Sequence, residues 1–283
     1  MNIDAPLGLA RSLLFVPANR PERFAKALAA GADAVVLDLE DSVPAAAKDA
    51  ARAAVCAAWP GLQPAALPLV LRINDPRTAA GADDLRALAQ LQGLAGLMLP
   101  KAESADTLAA VAAALPGVPI LPLIESAAGL AALDSVAAAP QVLRLAVGHI
   151  DFMADTGLQC SEDERELTPL RFAVAMATRR ARLASAIDGV TVAFDDDERL
   201  RADVRRALHF GFGAKLCIHP RQVAVVHQAL MPSADEVAWA RRVTAADAAA
   251  GGAAVQLEGR MIDAPVVQQA RRLLARAARS STA

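Results

Sequence analysis

Residues 34–39 read AVVLDL and run directly into Glu40 and Asp41. A short, almost wholly apolar run of this kind suits a strand buried on both faces, as in a parallel sheet. VLRLAV at 142–147 and AKLCI at 214–218 have the same character. Working outward from them, the candidate strands are Ser12–Val16, Ala34–Glu40, Leu69–Asn74, Gly96–Lys101, Pro119–Glu125, Val142–Gly148, Val190–Phe194 and Ala214–His219. Helical segments rich in Ala, Leu and Arg lie between them: Pro21–Ala30, Ala45–Ala58, Ala82–Leu91, Ser104–Leu115 and Thr168–Ile187. Pro21 suits a first helical turn and Gly31 the position just past a helix end. Eight strands alternating with helices predict an α/β fold, a closed (β/α)8 TIM barrel over residues 1–230. An open doubly wound sheet normally carries a glycine-rich phosphate loop after its first strand. Here the first strand ends in FVPANRPER, with no such loop. Beyond the eighth unit, a helical segment Ser233–Ala250, the pair Gly251-Gly252, AAVQLEGRMID and an Arg-rich helix predict a hinged C-terminal extension or lid over 231–283.

The 283 residues are long enough to bury a large core, and with 55% hydrophobic residues disorder is excluded. The 29 basic and 31 acidic residues nearly cancel, which argues against a nucleic-acid partner. Lysine is scarce: Lys26, Lys48, Lys101 and Lys215 are the whole set. Tyrosine is absent, so acid–base work must fall to other groups. Cys56, Cys160 and Cys217 have neither metal-ligand spacing nor a disulfide pattern, which fits a reduced, cytoplasmic setting. No basic run precedes an apolar stretch at the N-terminus, so no signal peptide is expected. The longest uncharged stretch, residues 107–124, is broken by Pro116, Gly117, Pro119 and Pro122. It reads as a helix followed by a buried strand rather than a membrane span.

In a TIM barrel the active site lies where the strands end at their C-terminal face. Those ends carry Asp38, Glu40, Asp41, Arg72, Asn74, Lys101, Glu125, Asp151 and His219. Glu125 and Asp151 are hard oxygen ligands suited to Mg²⁺. A ring of carboxylates also needs a cation to offset its self-repulsion. Arg72 offers a planar fork for a substrate carboxylate. Together these suggest a site that chelates a 2-oxo acid, with Gly148 allowing close backbone approach. Asp38, Glu40 and Asp41 cannot all be metal ligands, and some are expected to bond to Arg. A carboxylate after a strand can also serve a helix start, which is the plainer role for Glu125 and Asp151. Lys48 and Arg52 are expected to face solvent, the run SEDERE at 161–166 to be an exposed loop, and His209 and His227 to be ordinary helix residues.

The segment RSLLFVPANRPERFAKALAAGADAVVLDLEDSV (11–43) resembles the opening of the citrate lyase β-subunit family. That family includes citryl-CoA, malyl-CoA and citramalyl-CoA lyases within the wider HpcH/HpaI-type aldolase superfamily. LRIN, LPKAES, LPLIES, GHIDFMAD, GAKLCIHPRQV and GRMIDAPVVQQA are similar to further family motifs. The resemblance implies a Mg²⁺-dependent homo-oligomer, a trimer or hexamer, that cleaves a 3-hydroxyacyl-CoA thioester into an acyl-CoA and a 2-oxo acid. It implies Glu125 and Asp151 as metal ligands, Glu40 and Asp41 supporting the metal's waters, and Arg72 on the oxo-acid carboxylate. Asp263 would come from a neighbouring subunit's lid as acid or base at the acyl carbon. Arg20 and Lys26 would meet CoA phosphates. The chain departs from the family at Ala18, where glycine is usual, and at His149, where an acidic residue is usual. His149 is left as either a support for the metal site or a loop residue. The resemblance leaves open the hydroxyacyl group, the base for the hydroxyl proton, and CoA against an acyl-carrier-protein thioester in a citrate lyase complex. Three other readings remain: an aldolase acting on free 2-oxo acids, a Schiff-base enzyme using Lys101 or Lys215, and a barrel that only binds ligand.

Overall fold

The computed structural model describes residues 1–62 and 67–280. Eight parallel strands close into a barrel in chain order: β1 Ser12–Pro17, β2 Ala34–Asp38, β3 Leu69–Arg72, β4 Gly96–Leu99, β5 Ile120–Ile124, β6 Ala146–Val147, β7 Ile187–Asp188 and β8 Ala214–Cys217. The helices around it begin with α1 Pro6–Leu9, α2 Phe24–Leu28, α3 Lys48–Leu62, α4 Ala79–Leu88 and α5 Ala105–Ala114. They continue with α6 Ala127–Ala131, α7 Leu133–Ala137, α8 His149–Thr156, α9 Thr168–Arg180, α10 Asp197–His209 and α11 Arg221–Leu230. The barrel expectation is borne out, and residues 107–124 are indeed a helix and a buried strand. The seventh strand corrects the sequence reading. Val190–Phe194 is not a strand; Val192 and Phe194 are exposed there, and the strand is Ile187–Asp188. The preceding helix stops at Arg180, not Ile187. Length and composition hid it: the strand is two residues long, and the β-branched and aromatic run VTVAF just after it looks more like a strand.

The barrel interior is packed with Leu13, Val36, Val70, Met98, Leu121 and Ile187. Leu7 and Ala10, from the N-terminal segment, join this core at the bottom of the barrel. A Cβ at Gly96 would fall 2.5 Å from Leu7 Cδ2, so glycine makes the room for this plug. Arg144, wholly buried, fastens the segment by donating from Nη1 to the carbonyls of Leu7 (3.0 Å) and Ala10 (2.8 Å), and from Nε to Ser185 O (2.8 Å). Nearby, His227 Nε2 lies 2.8 Å from Ser12 Oγ and 3.4 Å from Asp33 Oδ1. His227 is therefore tied to the first strand, more than the ordinary helix residue the sequence suggested. Lys48 and Arg52 also depart from expectation. Lys48 Nζ donates to Leu39 O (2.9 Å) and Glu40 O (2.6 Å), and Arg52 Nε to the buried Asp84 (2.8 Å).

Parallel register sets two buried charge pairs. Asp38 stands beside Arg72, and Asp188 beside Lys215. Register partners in a parallel pair point to the same face, so each pair meets. Lys215 Nζ donates to Asp188 Oδ2 (2.9 Å) and Arg171 Nε to Asp188 Oδ1 (3.0 Å). Burial opposes ionisation of Asp188, but Lys215 and Arg171 outweigh it and hold its carboxyl well below the usual range.

The chain divides into two compact units, Met1–His227 and the residues from Gln228 onward. The second has its own small core of Ala240, Val243, Ile262, Val267 and Ala270. Its first full helix, α12 Ala234–Ala249, opens with a capping box in which Ser233 Oγ accepts from Glu236 N and Glu236 bonds back to Ser233 N. Gly251 and Gly252 end it by bonding back to Ala248 O and Asp247 O, both at positive φ. A hairpin of β9 Val255–Leu257 and β10 Arg260–Ile262 follows. Its turn is Glu258 (φ 51°) and Gly259 (φ 79°), the paired positive angles that a twisted two-residue hairpin requires. α13 Ala264–Ser280 completes the unit, and the last three residues of the expected extension lie outside the described residues. Among the described residues no helix is long and apolar enough to cross a membrane.

Asp188→Asn removes the shared counter-charge of two buried cations. The expected cost is roughly 3–5 kcal/mol, read as a lowered urea midpoint; a cost under roughly 1 kcal/mol would show that the cluster is energetically idle. Because its carboxyl is depressed in the folded state, this contribution is complete above an unfolded value of about 3.9. It should be lost as pH falls below that, and the Asn variant should lack that acid-sensitive component.

Candidate active site

The carboxylates gather where β2, β3, β5 and β6 end. Arg72, the last residue of β3, makes a two-point ion pair with Asp38: Nε to Oδ1 at 2.6 Å and Nη2 to Oδ2 at 2.7 Å. Its Nη1 lies 2.9 Å from Glu40 Oε2 and 3.4 Å from Asp41 Oδ2. The guanidinium carbon sits 4.8 Å over the ring of Phe15, so the group is clamped in plane from one face and one edge. Asp38 is thus one of the acids expected to bond to Arg, and it occupies two nitrogens of the fork. The fork holds Asp38, and the Nη1 side is what faces the basin.

The turn after β2 is braced from behind. Asp38 Oδ1 accepts from Glu40 N (3.0 Å) and Oδ2 from Ser42 N (3.2 Å). Asn74 Nδ2 donates to Leu39 O (3.0 Å) and to Asp84 Oδ2 (2.7 Å), and Asp84 in turn binds Arg52. Glu40 is thus held in a buried position, with Arg72 Nη1 2.9 Å from its Oε2. Burial dominates its ionisation; Arg72 opposes it, Glu125, Asp41 and Asp38 reinforce it, and its pKa rises to about 8.

Glu125 follows β5 and is 3% exposed. Its Oε1 accepts from the backbone N of Lys101 at 2.7 Å, while Oε2 is buried with no hydrogen-bond partner among the described residues. Burial lifts its pKa to about 7; Lys101 opposes the rise and Asp151 adds to it. Asp151 stands in the first turn of α8, whose N-cap residue is Gly148 immediately after β6. A Cβ at Gly148 would fall 2.6 Å from Glu125 Oε2, so glycine keeps the space beside that oxygen. Among the described residues no three His, Cys, Asp or Glu side chains converge into a closed metal cage. A pair of carboxylates, one with a spare buried oxygen, leaves positions for water and substrate oxygens. That open arrangement suits Mg²⁺, which keeps waters and uses one or two carboxylates.

Neither Schiff-base candidate is presented as a nucleophile. Lys101 Nζ lies 3.8 Å from Glu125 Oε1, and although burial works against its charge, Glu125, Glu40 and Asp151 hold its pKa above the ordinary value. Lys215 is buried and committed to Asp188 and to Gly189 O (2.5 Å). Arg20 is exposed and paired with Glu22 at 2.5 Å, and Lys26 is exposed on α2. In the second unit, Asp263 Oδ1 accepts from Val266 N at 3.4 Å, so it caps the start of α13.

A second charged cluster escaped the sequence reading. Glu164, expected on an exposed loop, receives Arg171 (2.7 Å), Arg206 (2.7 Å) and Arg199 (3.0 Å). His149 opens α8, buried, with Nε2 4.0 Å from Glu164 Oε1 and Nδ1 against Gly189. Burial lowers its pKa, against the pull of Glu164. A cleft of about 720 Å³ lies beside this cluster, with His149, Ile150 and Thr191 in its wall. It adjoins the basin at α8 but does not include Glu125 or Arg72. The clue to Glu164 was present in the sequence: an acidic run facing arginines spaced along two later helices.

The pattern of the HpcH/HpaI aldolase/citrate lyase family matches residues 11–220. A citrate lyase subunit beta-like protein of Mycobacterium tuberculosis is 39% identical over 276 residues, covering 95% of this chain and 96% of that one. A (3S)-malyl-CoA thioesterase of Cereibacter sphaeroides is 30% identical over 270 residues, covering 94% of each. Among solved structures, protein CitE of M. tuberculosis in complex with magnesium, acetoacetate and coenzyme A superposes with a TM-score of 0.84 at 38% identity, covering 95% of this chain and 98% of that one. With the barrel, the motifs and the full-length likeness in agreement, the chain belongs to the HpcH/HpaI aldolase/citrate lyase family and is an enzyme of the lyase class.

Proposed function

We propose that the protein is a Mg²⁺-dependent lyase that cleaves a 3-hydroxyacyl-CoA thioester into an acyl-CoA and a 2-oxo acid. The observation that carries this reading is the spare buried oxygen of Glu125, beside Gly148 and within electrostatic reach of Asp151. The solved relative that holds magnesium, acetoacetate and coenzyme A supports the same class of ligands.

Glu125 and Asp151 would hold the metal, and bound Mg²⁺ would supply Lewis-acid stabilisation to the oxo-acid oxygens. The residues of the chain do the rest. The Nη1 side of Arg72 receives the substrate carboxylate and stabilises the charge that develops on the oxo acid, while Asp38 and Phe15 keep the guanidinium in plane. Glu40 and Asp41 orient water at the rim. In cleavage the hydroxyl gives its proton to a base of the site and the carbon–carbon bond next to the carbinol breaks. The bond's electrons form the enolate of the acyl thioester, and Asp263 of a neighbouring copy protonates its carbon. Arg20 and Lys26 serve CoA phosphates. The assembly is a homo-oligomer in which each C-terminal unit closes another copy's site and excludes water.

Glu125→Ala and Asp151→Ala should each abolish Mg²⁺-dependent release of oxo acid from malyl-, citramalyl- or citryl-CoA, with the circular dichroism spectrum unchanged. Turnover retained in either would sink the metal assignment. Free CoA released without oxo acid would instead mark a thioesterase. Gly148→Ala should fold but fail to bind Mg²⁺, since its Cβ occupies the space beside Glu125 Oε2.

Mg²⁺ binding should also depend on pH. Both Glu125 and Glu40 have pKa values raised by burial, so the metal-free site is partly protonated near neutrality, and binding must expel those protons. Affinity by calorimetry should weaken as pH falls from about 8.5 to about 6, through both values. Heats measured in two buffers should show net proton release at pH 7. Affinity that stays flat across this interval would contradict the assignment.

A further inference from the structure

Lys101 has a left-handed backbone, φ 46°, although it is neither glycine nor asparagine. That conformation is unfavourable for a non-glycine residue unless its surroundings enforce it, and such residues cluster at functional sites. Here the turn after β4 aims the backbone N–H of Lys101 at Glu125 Oε1, 2.7 Å away. The side chain does less. Its Nζ is 3.8 Å from the same oxygen and the side chain is 41% exposed. On the other side of the carboxylate, Gly148 leaves space beside Oε2. One oxygen is thus taken by a backbone donor while the other is left without one.

We propose that Lys101 is a positioning residue, and that its left-handed backbone, not its ammonium group, presents Glu125 to the metal through one oxygen. The proposal rests on the reading of Glu125 as a Mg²⁺ ligand. It makes a prediction that runs against charge intuition. Glycine adopts a left-handed φ without penalty, and losing a cation beside the site removes repulsion toward Mg²⁺. Methionine keeps the reach of the lysine stem and no charge. Valine, β-branched, resists the left-handed region.

The test is Mg²⁺ affinity by calorimetry on the full chain, together with the unfolding temperature of the metal-free protein. Lys101→Gly and Lys101→Met should bind Mg²⁺ as tightly as the parent or more tightly, and Lys101→Gly should unfold at the parent temperature or above. Lys101→Val should bind about tenfold more weakly or worse, the range seen when a ligand's support is removed. Loss of affinity in the glycine or the methionine variant would overturn the proposal, and so would parent-like affinity in a folded valine variant. If Lys101→Val does not fold, the other two variants still decide the matter. A parent protein that binds no Mg²⁺, or a Glu125→Ala variant that binds it undiminished, would remove the metal reading itself instead.

Discussion

The fixed point of the structure is the pairing of buried charges across neighbouring parallel strands. Register puts Asp38 beside Arg72 and Asp188 beside Lys215, and each pair is desolvated by the barrel around it. Buried ion pairs of this kind add little net stability, but breaking one is costly. Their value here is geometric. Arg72 cannot swing, because Asp38 holds two of its nitrogens and Phe15 lies under it. Glu40 and Asp41 are arranged around that immobile cation.

Around it the rim is short of positive charge. Glu40 and Glu125 are buried within reach of other carboxylates, and both have raised pKa values. A site held in this condition stores an electrostatic demand that a divalent cation meets. The donors that fix the carboxylates are mostly backbone groups or buried amides: Lys101 N on Glu125, Glu40 N and Ser42 N on Asp38, and Asn74 on the Leu39 carbonyl. Such donors carry no net charge, so they set geometry without neutralising the basin.

The barrel was legible because most of its strands lie in mainly apolar runs and parallel barrels bury strands on both faces. β7 was not, because it is two residues long and the run VTVAF that follows it has the stronger strand composition. The rim residues could be named from strand ends and an Arg partner expected for some of the acids, but not which acid it holds. That Asp38 rather than a substrate fills the fork of Arg72 follows from register, which a single strand's sequence does not contain. Glu164 and Lys48 were misjudged for a related reason: both sit in stretches that look solvated, and the groups that bury them come from other elements. The left-handed turn at Lys101 leaves no compositional trace at all, since lysine is not a residue that marks such turns.

The N-terminal plug has a consequence for how the chain is made. Leu7 and Ala10 are held by Arg144, 137 and 134 residues later in the sequence, and β1 closes the barrel only against β8. As the protein leaves the ribosome, the first dozen residues therefore emerge long before their anchor exists. Their apolar side chains stay uncovered until more than half of the chain is synthesised, and the ring itself closes later still. Contacts of such long sequence separation form slowly. The floor of the barrel is thus translated well before the residues that secure it, and exposure of that segment is the window in which this fold is open to aggregation and to chaperones.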